Sequence, residues 1–194
     1  LIAVLAVMLV GHSQMQHMVE VQPMKVAAAE GLFESEDPAG LSLFTIGSMD
    51  EREEIFSLRV PYLLSVLSFN SFDGEVRGFL DLQEEYEQTY GEGENYIPPV
   101  AINYWSFRAM VGAGTLMLLI GMYAFYLNRA NKLDGATRVL RWLPFAIALP
   151  YIANTTGWIL AEVGRQPWIV FGLQRVEDAV SPNVTTGELL FSLI

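Results

Sequence analysis

The residues of this chain best suited to chemistry lie between Gly157 and Trp168, which reads Gly-Trp-Ile-Leu-Ala-Glu-Val-Gly-Arg-Gln-Pro-Trp. It follows Pro144 to Thr156, a run rich in apolar residues, so Glu162 falls near the end of a segment hydrophobic enough for a bilayer. A carboxylate there is costly unless it is paired, protonated or bound to a cation. On a helix Trp158, Glu162 and Arg165 are four and three residues apart and share a face. An aromatic plate, an acid and a guanidinium then point the same way. Two readings follow: a buried ion pair that orients two helices, or a membrane-embedded site whose carboxylate binds something cationic, such as a metal.

Other candidates are weaker when taken alone. Val19 to Phe33 contains Pro23, suited to a first helical turn, then good helix formers from Met24 to Glu30, then Gly31 as a stop. The spacing predicts a short helix on which Lys25 and Glu30, five residues apart, are not quite on one face. By itself this is an exposed helix with ordinary surface charges. Met110 lies in an apolar run and reads as core, while Arg108 near the start of that run reads as a side chain that snorkels to water. His12 and His17 sit in a Ser/Gln/Met-rich boundary segment and read as interfacial histidines without a ligand role. There is no Cys, so a disulfide framework and thiolate-held copper, zinc or iron–sulfur centres are excluded within these residues.

The elements that must position these groups show in the charge distribution. Hydrophobic residues make up 52% of the chain and charged ones only 17%, yet the formal net charge is −11. A soluble chain would carry about a quarter charged residues. The acid is concentrated: Gln14 to Pro99 holds 17 Asp or Glu against Lys25, Arg52, Arg59 and Arg77. This predicts an all-α membrane protein, a transmembrane helical bundle with a large extracytoplasmic loop. Residues 1–11 read as the end of a transmembrane helix, since the apolar run is shorter than the roughly 20 residues a span requires. Residues 12–99 form the acidic loop, with Leu41 to Ile46 as an extended piece and Arg77 to Tyr90 as an amphipathic helix. Residues 100–127 form a complete span opened by Tyr104 and Trp105, as an aromatic belt would be. Residues 128–142 carry Arg129, Lys132, Arg138 and Arg141 against Asp134 and are therefore cytoplasmic by the positive-inside rule. Residues 143–163 form a second span, 164–187 an outer loop, and 188–194 the start of a further helix. Both ends read as cut from a longer chain.

Three stretches resemble one family. Gly-Trp-x-x-x-Glu-x-Gly-Arg-Gln-Pro-Trp at 157–168 looks like the signature of subunit I of cytochrome bd quinol oxidases, bacterial respiratory oxidases without copper. Gln-Pro-Met-Lys-Val-Ala-Ala-Ala-Glu at 22–30 is similar to the start of that family's quinol-binding loop, here in its short version. Tyr-Trp-Ser-Phe-Arg-Ala-Met at 104–110 is similar to its haem-ligating motif. The resemblance covers nearly the whole chain and implies its carboxy-terminal half. It implies that Lys25 and Glu30 serve quinol oxidation, a carboxylate accepting a proton while an ammonium steadies the anion. It implies that Met110 ligates the iron of low-spin haem b, where a thioether opposite histidine raises the potential, with Arg108 stabilising haem charge. Glu162 would ligate a high-spin haem, either the second haem b or haem d. Trp158 would lie between haems, and Arg165 would neutralise haem carboxylates.

The implied activity is that of a quinol:oxygen oxidoreductase in the bacterial cytoplasmic membrane. Electrons from quinol at the outer face would pass through haems to reduce oxygen to water. Ubiquinol and menaquinol would meet the same lysine and carboxylate. The implied partners are quinol, oxygen, membrane lipid, a homologous subunit II and small accessory subunits, with no nucleic acid. The family's histidine ligands belong to the part of subunit I that precedes these residues. The competing class is a non-enzymatic membrane transporter or channel subunit in which a buried Glu162/Arg165 pair gates a polar path.

Overall fold

The computed structural model describes residues 1–48, 53–132, 141–179 and 184–192. Among the described residues, three apolar helical segments are long and hydrophobic enough to cross a membrane: Ile2–Val21, Val100–Arg129 and Leu143–Val163. The first, α1 (Ile2–Val21), does not stop at residue 11 as its apolar run suggested; the helix continues through His12 and His17. At about 1.5 Å per residue its 20 residues reach roughly 30 Å, the thickness of a hydrocarbon core. It ends where Gln22 adopts a non-helical backbone and Pro23 opens α2 (Pro23–Glu30). Proline is accepted there because a first-turn N–H has no intrahelical partner to lose. Gly31, at φ 62°, ψ 39°, closes α2 in the left-handed region that glycine enters without steric cost.

The loop is not all helical. β1 (Leu41–Ser48) pairs antiparallel with β2 (Glu53–Val60), with Leu41 opposite Val60 and Ser48 opposite Glu53. After α3 (Leu63–Phe69) and α4 (Phe79–Tyr90), a Gly- and Pro-containing connection leads into α5 (Val100–Arg129). The second span starts as a 3-10 turn, Leu143–Ile147, with Pro144 in its first turn, and continues as α6 (Ala148–Val163). Beyond it β3 (Trp168–Val170) and β4 (Gln174–Arg175) form a second small antiparallel pair, and α7 (Thr186–Ser192) begins just before the predicted position 188. The expectation of an all-α chain is therefore corrected to a mostly helical one with two short sheets. Leu41–Ser48 and Glu53–Val60 are rich in the β-branched and aromatic residues that suit a pleated surface. Asp134 and Arg138 of the basic connection, and most of the acidic patch at 49–54, lie outside the described residues.

What binds the acidic segment to the spans is α2. Every residue from Met24 to Glu30 is buried, which overturns the expectation of an exposed helix. Met24, Ala27 and Ala28 pack in one cluster with Phe33, Phe79, Leu82, Tyr86, Tyr96, Val100 and Trp168. Val26 packs on the opposite side with Leu32, Ala39, Leu64 and Val76, against Met15, Met18 and Val19 of α1. The alanines explain why a helix fits there at all, since small side chains let α4 and α5 approach its axis. By contrast the spans are scarcely covered: only 11% of the best window of Val100–Arg129, and 6% of that of Leu143–Val163, is buried within the chain. Helices apolar all round and uncovered by their own chain are made for lipid or for further protein.

Candidate functional site

The two ends of α2 face different surroundings. Glu30 is 1% exposed. Arg108, from α5, places Nη2 3.0 Å from Glu30 Oε2 and 2.7 Å from the Ser42 carbonyl, and donates through Nη1 to the Ala29 carbonyl. Glu30 Oε1 is buried and has no hydrogen-bond partner among the described residues. Burial pushes the Glu30 carboxyl above the usual carboxylate range, and the Arg108 charge and hydrogen bond, the Ser42 backbone N–H and the Arg59 charge offset part of that rise.

Lys25 sits at the other end, 8% exposed and without an ion pair at contact distance among the described residues. Burial lowers its ammonium from the ordinary 10.5; Arg165 adds to the fall and Glu162 opposes it. Its surroundings are set by Gly164, which ends α6. A Cβ at Gly164 would lie 2.6 Å from the Leu160 carbonyl oxygen, 2.9 Å from Asn103 Oδ1 and 2.9 Å from Lys25 Cγ. The glycine is thus what lets α2, α5 and the end of α6 meet. Beside them a cavity of about 10 Å³ is lined by Lys25, Gln22, Tyr86, Arg165 and Trp168. That is room for about one water, not for an aromatic ring. Burial pushes the Tyr86 phenol up to about 12, so it stays a neutral hydrogen-bonding group.

The residues predicted on the spans are placed as follows. Glu162 and Arg165 form an ion pair, but their side chains are 44% and 35% exposed within this chain. The buried gating pair of the transporter reading is therefore not found among the described residues. Trp158 is 67% exposed. Met110 is half-buried, its sulfur 3.0 Å from where a Cβ on Gly157 would stand, so it faces α6 across the seam between the spans. His12 bonds Asn70 Oδ1 at 2.9 Å through Nε2, a partner consistent with a structural role. The structure does not join Lys25 to Glu30, nor Met110 to Glu162.

Haem, which the resemblance implies, can be tested against these residues. Arg108 Nε and Arg165 Nε are both buried without a hydrogen-bond partner among the described residues, each a charged donor still available to an anionic group. Thioether and carboxylate are both ordinary iron donors, and the α5 and α6 faces around them are largely uncovered. The donor set fits haem with its carboxylates.

Two residues escaped the sequence reading, Tyr104 and Asn103. The sequence suggests an aromatic-belt position for Tyr104, but it is buried, with its ring 3.6 Å from Arg108 Cζ. Its position one helical turn before Arg108 was the available signal. Asn103 is fully buried, its Oδ1 without a hydrogen-bond partner among the described residues, and nothing in its local sequence marks it.

Helices long and apolar enough to cross a membrane, carrying a half-buried methionine and an exposed acid–arginine pair and packed against an acidic body with a buried carboxylate, point to a multi-pass membrane protein. The profile of the family described as Cytochrome bd terminal oxidase subunit I matches residues 1–194, and the chain belongs to that family. It is 50% identical over 196 residues to "Cytochrome bd ubiquinol oxidase subunit 1" of Bacillus subtilis (strain 168), covering 100% of this chain and 42% of that protein. It is 29% identical over 249 residues to "Cytochrome bd-II ubiquinol oxidase subunit 1" of Escherichia coli (strain K12), covering 100% of this chain and 48% of that protein. The solved structure of bd oxidase from Geobacillus thermodenitrificans resembles it with a TM-score of 0.70 and 32% identity, over 99% of this chain and 42% of that one. The chain spans less than half the length of these relatives.

Proposed function

We propose that this chain forms part of a respiratory terminal oxidase of the bacterial cytoplasmic membrane, working with a subunit II to oxidise quinol at the outer face and reduce oxygen to water. The observation that carries this reading is Glu30: a carboxylate walled off from solvent, one oxygen held by Arg108 and the other without a hydrogen-bond partner among the described residues, in the segment packed against the spans. A quinol must shed protons as it sheds electrons, and an enclosed carboxylate with a free oxygen is a competent acceptor. Lys25 supplies positive charge at the opposite end of α2, suited to an anionic intermediate.

Met110 would hold the iron of low-spin haem b, and Glu162 the iron of a high-spin haem b or haem d. Arg108 and Arg165, through their unpartnered Nε atoms, would meet haem carboxylates, and Trp158 would lie between haems. When bound, the haems supply the electron transfer and the oxygen chemistry. The chain itself positions donors and sets local charge. What supports the outer placement is the basic sequence after α5, which the positive-inside rule puts in the cytoplasm, one span away from the acidic body and from Gly164–Trp168.

The test is Glu30→Gln in the purified oxidase. Quinol oxidation is expected to fall at least tenfold with haem content retained, whereas unaltered turnover removes Glu30 from the site. A reduced-minus-oxidised spectrum of Met110→Leu should show loss of the low-spin haem or a change in its spin state. A spectrum identical to the parent would remove Met110 from iron.

A further inference from the structure

Tyr104 touches Arg108, Ser42 and the turn that follows Glu30, three of the features around that carboxylate. It is 4% exposed and stands one turn before Arg108 on α5. Its ring lies 3.6 Å from Arg108 Cζ, a cation–π contact in a desolvated setting. The same ring lies 3.0 Å from where a Cβ on Gly31 would stand, against the turn that immediately follows Glu30. Its hydroxyl accepts the Thr45 N–H at 2.7 Å and shares a hydrogen bond with Ser42 Oγ at 3.0 Å. The Ser42 carbonyl in turn takes Arg108 Nη2. One side chain therefore joins β1, the end of α2 and the guanidinium.

We propose that Tyr104 is a positioning residue for the quinol site: it aims Arg108 at Glu30 Oε2 and so leaves Oε1 as the oxygen offered to the substrate. The proposal rests on the reading of Glu30 as the proton acceptor and adds the part that orients it. In the transfer the quinol O–H bond breaks, its proton passes to Oε1, and the oxygen keeps the bonding pair. A guanidinium free to wander would spend part of its time away from the carboxylate; the stacked ring and the pinned strand hold it at Oε2. The other charged group that bears on Glu30 from a packed element is Arg59 of β2, already paired with Glu36 and Glu54.

The experiment uses the purified intact oxidase as parent, Glu30→Gln, Tyr104→Phe and Tyr104→Leu. Glu30 protonation is followed by the infrared band of its protonated carboxyl, identified as the band that Glu30→Gln removes. Quinol turnover is measured over the same pH range. Tyr104→Leu should raise the proton affinity of Glu30 at least threefold, about half a pH unit, because the guanidinium is no longer held against it. Tyr104→Phe keeps the ring and should shift it less, while hydrogen-exchange protection of the Thr45 amide falls. A titration unmoved in Tyr104→Leu overturns the proposal, even if the melting temperature drops. If Tyr104→Leu fails to retain haem, Tyr104→Phe decides: titration and Thr45 protection both unchanged overturn it. A shifted titration that the turnover profile does not follow leaves Tyr104 as the positioner and removes Glu30 from contact with quinol.

Discussion

The two charges on α2 belong to one buried helix of eight residues, yet they are kept in different ways. Glu30 is enclosed at the α5 and hairpin side by a guanidinium that makes three hydrogen bonds. Lys25 is enclosed at the α6 side mainly by carbon, a glycine and a small cavity, with its nearest charges acting at a distance. Burial is the largest influence at both ends, and at both it moves the group towards its neutral form. The difference is in what opposes it. Arg108 gives Glu30 a specific counter-charge, whereas at Lys25 the effects of Arg165 and Glu162 work against each other. A helix can thus carry one group whose state is set by a single neighbour and another whose state is set by the shape of the crevice.

The largest effect should come from removing that single neighbour. Arg108→Leu leaves the Glu30 carboxylate buried without its counter-charge, a change that costs about 3 kcal/mol when a buried pair loses one partner. The double variant Arg108→Leu/Glu30→Gln should recover at least half of the loss, because no charge is then stranded. Thermal denaturation of the purified oxidase reads both. If the single and double variants melt together, the pairing is not what holds this end.

The crevice end should respond to volume. Gly164→Ala drives a methyl group into backbone oxygen at 2.6 Å, as well as into Asn103 and Lys25. Overpacking of this kind costs about 1–3 kcal/mol. The counterpart at the other end is Gly31→Ala, which combines a positive φ with a Tyr104 contact at 3.0 Å, for about 1–2 kcal/mol. The two should separate by function. Gly31→Ala is expected to alter the infrared titration of Glu30, and Gly164→Ala to leave it in place. Equal disturbance of Glu30 by both would mean the two ends are not independent.

Much of this was legible beforehand, and the parts that were not share a cause. Pro23 and Gly31 fixed the bounds of α2, and the apolar runs located α5 and the 143–163 span, because these signals are local. The family motifs marked Lys25, Glu30, Arg108, Met110 and Glu162 as candidates for the roles proposed above. The continuation of α1 to Val21 was missed because polar Gly11 to His17 breaks the apolar run without breaking the helix. The burial of α2 was missed because it depends on Phe79, Tyr86 and Trp168 arriving from far along the chain. For the same reason Arg108 reads from sequence as meeting water or haem charge and not Glu30: that bond joins residues 78 positions apart. Tyr104 and Asn103 gain their meaning only from what α2 and Gly164 bring against them.

The smallest effect, and the one with a characteristic pH signature, belongs to Lys25→Met. Folding lowers the Lys25 ammonium from 10.5, chiefly by burial. The unfolded chain therefore holds this proton to a higher pH than the folded one does. Below the folded value both states are protonated and the cost of burying the charge is felt in full. As pH rises from the folded value to 10.5 the folded state releases the proton first, and the cost disappears. Methionine keeps the length and carries no charge, so Lys25→Met should be more stable than the parent at neutral pH by about 1 kcal/mol or less. That advantage should shrink as the pH is raised towards 10.5. Differential scanning calorimetry of both proteins at a series of pH values measures it. An advantage that grows with pH, or a loss at neutral pH, would show that Lys25 has a specific counter-charge after all and would erase the contrast between the two ends of α2.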